Sequence, residues 1–203
     1  MPNMTKHGCA FITTLPSNFL CINQINTLHE CLKGHKGFIA GGCFKDLIRR
    51  FPPKDIDIFF ECEEDYNFAF ELFLHNTQYT LVKTMDKVQV FRHKIAGMRL
   101  ELNGIRFGTP FEILDNFDFT LTKFAYGDDM CLYHYRFHNH LINRLIHIDN
   151  KIISPFSTFR RLSRYVKYGY YPDKQTELKL AIALKDSNLN ESKEEEYADG
   201  QER

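Results

Sequence analysis

The 203-residue sequence predicts an α/β fold: a mixed sheet of about five strands with flanking helices, followed by a short helical segment. Three observations predict it. Gly37-Phe38-Ile39-Ala40 is a short apolar run bounded by glycines, as in a buried strand, and Gly41-Gly42 leads from it into a helix at Cys43. Residues 55–60 alternate, with Ile56, Ile58 and Phe60 on one face and Asp55 and Asp57 on the other. Several stretches carry apolar residues at helical spacing, and 19 Phe in a chain that is 43% hydrophobic supply a sizeable core.

Taken in order, Ser17 or Asn18 caps a helix to about Lys33, with Leu20, Ile22, Ile25, Leu28 and Leu32 inward and Gly34 as the stop. Residues 43–50 form a short helix that Pro52-Pro53 ends. Residues 65–76 read as a helix with Phe68, Leu72 and Phe73 on its buried side. Strands follow at 78–84 and 87–92, then an irregular piece from Gly97 to Gly108. Thr109-Pro110 opens a short helix to Leu114 because proline suits a first turn. Residues 117–120 are extended or begin a helix, and 133–137 alternate as a strand. The chain turns helical from Leu141, with a second helix from Pro155 to about Tyr168, stopped by Gly169. The organisation expected is a domain over 1–135, a helical neck-like segment over 136–185 and an acidic, disordered tail over 186–203.

Net charge is zero, yet the two signs are segregated. Residues 136–167 hold seven Lys/Arg against one acid, Asp149, whereas 172–203 hold nine Asp/Glu against five Lys/Arg. That pattern fits one surface for an anionic ligand and one solvated extension. Six scattered Cys with no C-x-x-C pair argue against a disulfide framework or zinc ribbon and for reduced thiols in the cytoplasm. No apolar run approaches the ~18 residues of a membrane span, and no basic-then-apolar leader opens the chain. The expected protein is cytoplasmic, with no membrane partner.

Asp55 and Asp57 carry the strongest chemical signal. Two carboxylates on one face of a strand, roughly 6.6–6.8 Å apart along it, can converge on one or two divalent ions. The glycine pair lets backbone approach a phosphate, with the N–H groups of the following helix aimed at the anion. Together they form a layout for a nucleoside triphosphate and its metals. His134, His138 and His140 lack a nearby Cys pair and read as exposed residues at a strand end, not as zinc ligands. Tyr165, Tyr168, Tyr170 and Tyr171 lie near the arginines, and either base stacking or packing accounts for them.

Gly41-Gly42-Cys43-Phe44-Lys45-Asp46 followed by Lys54-Asp55-Ile56-Asp57 resembles the head signature of polymerase-β-like nucleotidyltransferases, G-G-x-x-R-D with a D-x-D strand. Within them it is similar to the class II CCA-adding enzymes and bacterial poly(A) polymerases. Residues 117–126, Phe-Asp-Phe-Thr-Leu-Thr-Lys-Phe-Ala-Tyr, resemble their R-R-D-F-T-I-N-A-L-A-Y block, and 154–170 resemble their neck helix. The compact form is similar to small phage nucleotidyltransferases.

The resemblance implies a nucleotidyltransferase-type mixed sheet and transfer of a nucleoside monophosphate from an NTP to an acceptor hydroxyl, an RNA 3′ end (tRNA-like or other) foremost. It implies Mg²⁺ in a two-metal site on Asp55 and Asp57, which carry catalysis. It seats the nucleotide on Gly41, Gly42, Lys45, Asp118, Arg160, Arg161 and Arg164. Asp118 is open between a ribose contact, a helix cap and a third metal ligand; Glu101, read as a solvated acid, is another candidate third acid. The departures are Lys45 for the family's Arg, Gln89 where a third strand carboxylate would stand, Asn116-Phe117 for an arginine pair, Thr122 for the Asn of the same block, and Ser154 and Ser157 in the neck. They motivate an alternative, a catalytically weak nucleotide- or RNA-binding regulator. The matching blocks stop near residue 172, so templated C-C-A addition is not carried over.

Overall fold

A computed structural model describes residues 3–4, 10–149 and 152–187. The expected acidic tail lies outside them beyond residue 187, as does Cys9; the other five cysteines are free thiols. The chain divides into two compact units, Met1–Phe117 with Thr122–Tyr135, and Asp118–Leu121 with Arg136–Arg203.

The first unit runs β1 (Asn3–Met4), β2 (Ala10–Thr14), α1 (Ile22–Leu32), β3 (Phe38–Ala40), α2 (Cys43–Ile48), β4 (Ile56–Phe60) and α3 (Glu63–His75). It continues with β5 (Tyr79–Met85), β6 (Val88–His93), β7 (Arg99–Phe107), α4 (Pro110–Asp115), β8 (Phe124–Gly127) and β9 (Met130–His134). The strands make one nine-stranded sheet in the order β1-β2-β9-β8-β3-β4-β7-β6-β5. Its pairs are antiparallel except β4 with β7, so the sheet is mixed, with nearly twice the strands expected.

The largest departure is β7, which occupies the stretch from Gly97 to Gly108 expected to be irregular. Leu100, Leu102 and Gly104 alternate inward along it. At Gly104 a Cβ would come within 2.9 Å of the Tyr66 ring, so this glycine permits close packing of α3 and does not break the strand. Cys21, not Ser17 or Asn18, caps α1: its N–H donates to Gln24 Oε1 at 3.0 Å, while Pro16–Asn18 form a 3₁₀ turn. The inward face of α3 is Tyr66, Ala69 and Phe73, which leaves Phe68 59% exposed. Thr109 caps α4, accepting from the Glu112 N–H while Glu112 accepts from the Thr109 N–H.

Each face of the sheet has its own apolar layer. One joins Phe11, Phe38, Ala40, Phe59, Ala125 and Leu132 to Ile113 and Leu114 of α4. On the other, Phe44 of α2 stacks on Phe124 at 4.4 Å, and Phe73 of α3 lies 5.3 Å from Phe91. Each fully buried aromatic contributes roughly 1.5–3 kcal/mol of transfer free energy. That rigidity fixes the backbone around β3 and β4.

The second unit comprises α5 (Phe137–Ile142), β10 (Leu145–Ile146), α6 (Pro155–Lys167), β11 (Tyr171–Pro172) and α7 (Lys174–Asp186), with β10 and β11 paired in parallel. The expected strand over 133–137 ends at His134, and α5 starts before Leu141. Residues 118–121 belong to this unit for specific reasons. Asp118 binds Arg161, Phe119 meets Tyr165 edge-on at 5.6 Å, and Thr120 bonds His140 Nδ1 at 2.6 Å while its N–H donates to the His147 carbonyl. His134 and His140 are therefore buried side chains, not the exposed histidines expected.

Candidate active site

The site in the first unit follows from strand register. Ala40 of β3 pairs with Asp57 of β4, and Asp57 pairs with Glu101 of β7. Ala40 also pairs with Ala125, and Glu101 with Val90, so one lateral row across the sheet reads Ala125, Ala40, Asp57, Glu101, Val90. Residues in one row share a face, and neighbouring strands lie ~4.7–4.9 Å apart. Ala125 and Ala40 are buried in the apolar layer under α4, so the row passes from that layer into the two acids. Asp57 and Glu101 thus stand as adjacent carboxylates.

Register also corrects the expectation for Gln89. It pairs with Leu102, one residue beyond Glu101, and therefore points to the opposite face, where it hydrogen-bonds Tyr66. The acid beside Asp57 is Glu101, and it is not a solvated surface acid: its side chain is 15% exposed and held by Arg99 Nη2 at 2.5 Å.

Gly41 continues β3 past Ala40 with φ +109°, a conformation other residues rarely adopt. Its N–H is spent on the Phe124 carbonyl at 2.9 Å, so it offers no donor to a phosphate. What it offers is backbone without a side chain close to an acid: a Cβ there would stand in contact with Asp57 Oδ2 at 3.5 Å and with the Phe117 ring at 3.6 Å. Gly42 caps α2 in ordinary helical conformation, φ −67° and ψ −18°. With only six residues α2 has little dipole to present, so Lys45, nearly buried on its first turns, is the principal positive group. Its Nζ lies 2.6 Å from Asp46 Oδ2.

Asp55 immediately precedes β4. Cys43, the first residue of α2, feels the charge of both acids. Burial, then the charges of Asp57 and Asp55, push its thiol well above the ordinary value, with Lys45 opposing. Gly41 and Asp57 are thus neighbours, Glu101 stands beside Asp57 by register, and Asp55 and Lys45 act electrostatically on the same thiol.

In the second unit, Arg161 Nε and Nη2 approach Asp118 Oδ2 at 2.8 and 2.6 Å. Arg160 and Arg164 share α6 with Arg161, all three half-buried, while Thr158, Leu162 and Tyr165 form its inward face. Asp118 is thus committed to an arginine of its own unit.

The donors in the first unit are all carboxylate oxygens, the set a hard divalent cation such as Mg²⁺ prefers. Among the described residues no three His, Cys, Asp or Glu side chains are assembled as a ready ligand cage, in keeping with Glu101 being drawn to Arg99. Also among the described residues, no helix is long and apolar enough to cross a membrane.

A family profile described as Gad2, Gabija anti-defense 2 family protein, matches residues 17–144. The chain belongs to that family. A curated relative, Gabija anti-defense 2 of Bacillus phage SPbetaL7, is 24% identical over 166 residues, which is 80% of this chain and 41% of the relative. A solved CCA-adding enzyme in complex with ATP superposes with a TM-score of 0.70 at 18% identity, over 91% of this chain and 50% of its own. The Thermotoga maritima CCA-adding enzyme complexed with tRNA gives 0.63 at 17%, over 86% and 46%. The chain therefore spans half or less of these relatives. At such identities the likeness is one of fold, shared with the solved CCA-adding enzymes, and the mixed α/β architecture agrees with the expected fold class.

Proposed function

We propose that this family member is a Mg²⁺-dependent nucleotidyltransferase that moves a nucleoside monophosphate from an NTP to an acceptor hydroxyl. The observation that carries the proposal is the lateral row in which Asp57 and Glu101 stand beside a glycine turn without side chains. Asp55, Asp57 and Glu101 would hold the metal. Bound there, divalent ions supply charge neutralisation at the phosphates and activation of the attacking oxygen. Gly41 and Gly42 let the triphosphate approach the carboxylates, and Lys45 offsets its charge. The acceptor oxygen forms a bond to the α-phosphorus, the bond to the bridging oxygen breaks, and pyrophosphate leaves. Catalysis rests on position and electrostatics, with no protein nucleophile.

In the second unit, Arg160, Arg161 and Arg164 act as contacts to nucleotide or RNA phosphates, and Asp118 fixes Arg161 for that task. The basic character of residues 136–167 and the tRNA, ATP and CTP complexes of the fold relatives support an RNA 3′ end as acceptor. The anti-defense name of the family extends the reading: the modification would serve a phage against a Gabija system. The test is incubation with each labelled NTP, Mg²⁺ and RNA, with Gabija components as a second acceptor set. Pyrophosphate release that is lost in Asp55→Ala and Asp57→Asn is expected. No release with any acceptor, or release unchanged in both variants, would overturn the proposal.

A second reading, a nucleotide-binding regulator without turnover, is favoured by the self-pairing of Lys45 with Asp46 and of Glu101 with Arg99. Tight NTP binding with no product would select it.

A further inference from the structure

The four tyrosines at the end of α6 separate cleanly. Tyr165 and Tyr170 are buried, 5.7 Å apart and edge-on, and serve packing. Tyr168 and Tyr171 are 57% and 61% exposed. Between them the chain turns at Gly169, φ +81°, and Arg144 lies against that turn, its Nη1 3.2 Å from where a Cβ would sit. The Arg144 carbonyl accepts the Tyr171 N–H at 2.8 Å, which ties the backbone of the arginine to that of the second tyrosine. Arg164 and Lys167 occupy the last turn of α6, which ends at Tyr168. The nearby acid, Asp173, is already committed to His147 at 2.6 Å and to the Thr176 N–H at 2.7 Å. Two exposed rings, a guanidinium against the glycine between them and Lys167 on the adjoining turn are gathered in this short stretch.

We propose that Tyr168, Tyr171, Arg144 and Lys167 form a stacking platform for single-stranded RNA. The rings receive unpaired bases, and the arginine and lysine receive the phosphates that join them. Stacking tolerates any base, so the platform grips strand and not sequence. A duplex hides its bases and gains only the charge contacts. The proposal deepens the RNA-acceptor reading and rests on it for the choice of nucleic acid.

The experiment is fluorescence anisotropy of the full chain with a labelled 12-nucleotide single-stranded RNA and with the matching duplex, in EDTA and without NTP. The single strand is expected to bind more tightly. Tyr168→Ala and Tyr171→Ala should each weaken it about tenfold, within the range of one lost stacking contact, while Tyr168→Phe keeps it. Arg144→Gln should weaken binding and lower the slope of log affinity against log salt by about 0.7. Equal affinity for strand and duplex, or alanine variants that bind as the wild type, would overturn the proposal and return the patch to a protein partner. Because no metal or NTP is present, failure here leaves the transferase reading intact, and a chain that binds RNA without releasing pyrophosphate overturns only the latter.

Discussion

Gly41→Ala tests the site where geometry and chemistry meet. The glycine holds φ +109°, and an alanine forced there bears strain of about 1–2 kcal/mol. No collision adds to it, since the new Cβ would lie 3.5 Å from Asp57 Oδ2 and 3.6 Å from Phe117 Cε2, ordinary contact distances. For a chain of this size each kcal/mol moves the melting temperature by about 2–4 °C, so a loss of about 2–8 °C is expected by scanning calorimetry. Activity should fall much further. The methyl group stands beside the Asp57 carboxylate, on the ground the triphosphate must cross, and a displacement near 1 Å at a reacting centre costs about 10²-fold. Gly42→Ala is the control. Its backbone is already helical, so alanine there should cost no stability. Pyrophosphate release measured at 20 °C decides the matter: a Gly41→Ala protein that melts early but turns over at the wild-type rate would refute the argument that bare backbone seats the substrate.

Three further outcomes follow from the same geometry. Glu101→Gln should lower Mg²⁺-dependent turnover by about tenfold or more, one charge being lost beside Asp57, whereas Gln89→Met, on the opposite face, should leave it within about twofold; steady-state rates across a Mg²⁺ titration check both. Asp118→Asn removes the charge that holds Arg161 and should cost about 1–2 kcal/mol by urea unfolding, between the worth of an exposed and a buried pair. Burial pushes the Asp173 carboxyl upward, but bonds from the Thr176 N–H, the His147 ring and the Thr176 hydroxyl outweigh it and hold the group below its ordinary value. Its stabilisation is therefore present above about pH 4 and lost as pH falls through the lowered folded value, so Asp173→Asn should flatten the acid limb of a stability–pH profile.

What the sequence disclosed and what it hid differ in range. Asp55, Asp57 and the glycine pair lie within a short stretch of chain, and each announces its geometry locally, by alternation or by the absence of a side chain. Glu101 does not, because its partner Asp57 is 44 positions away and only the register of β4 against β7 brings them together. The local signal was present in Arg99-Leu100-Glu101-Leu102, whose alternation is that of a strand. The signal spans only four residues of a stretch that otherwise reads as irregular, in which Gly104 proves to be a contact for Tyr66. A resemblance then drew the third-acid position to Gln89, an assignment that register excludes, since one residue of slip moves a side chain through the sheet. The two glycines show the complementary limit. In sequence they are equivalent, yet only Gly41 occupies a conformation closed to other residues, and its N–H is bound to Phe124 across the sheet. Motif spacing thus reports which groups are available. Which of them face the ligand is decided by strand pairings between distant segments, and for this reason the contrast of Glu101→Gln with Gln89→Met is the sharper test of the site than loss of either aspartate.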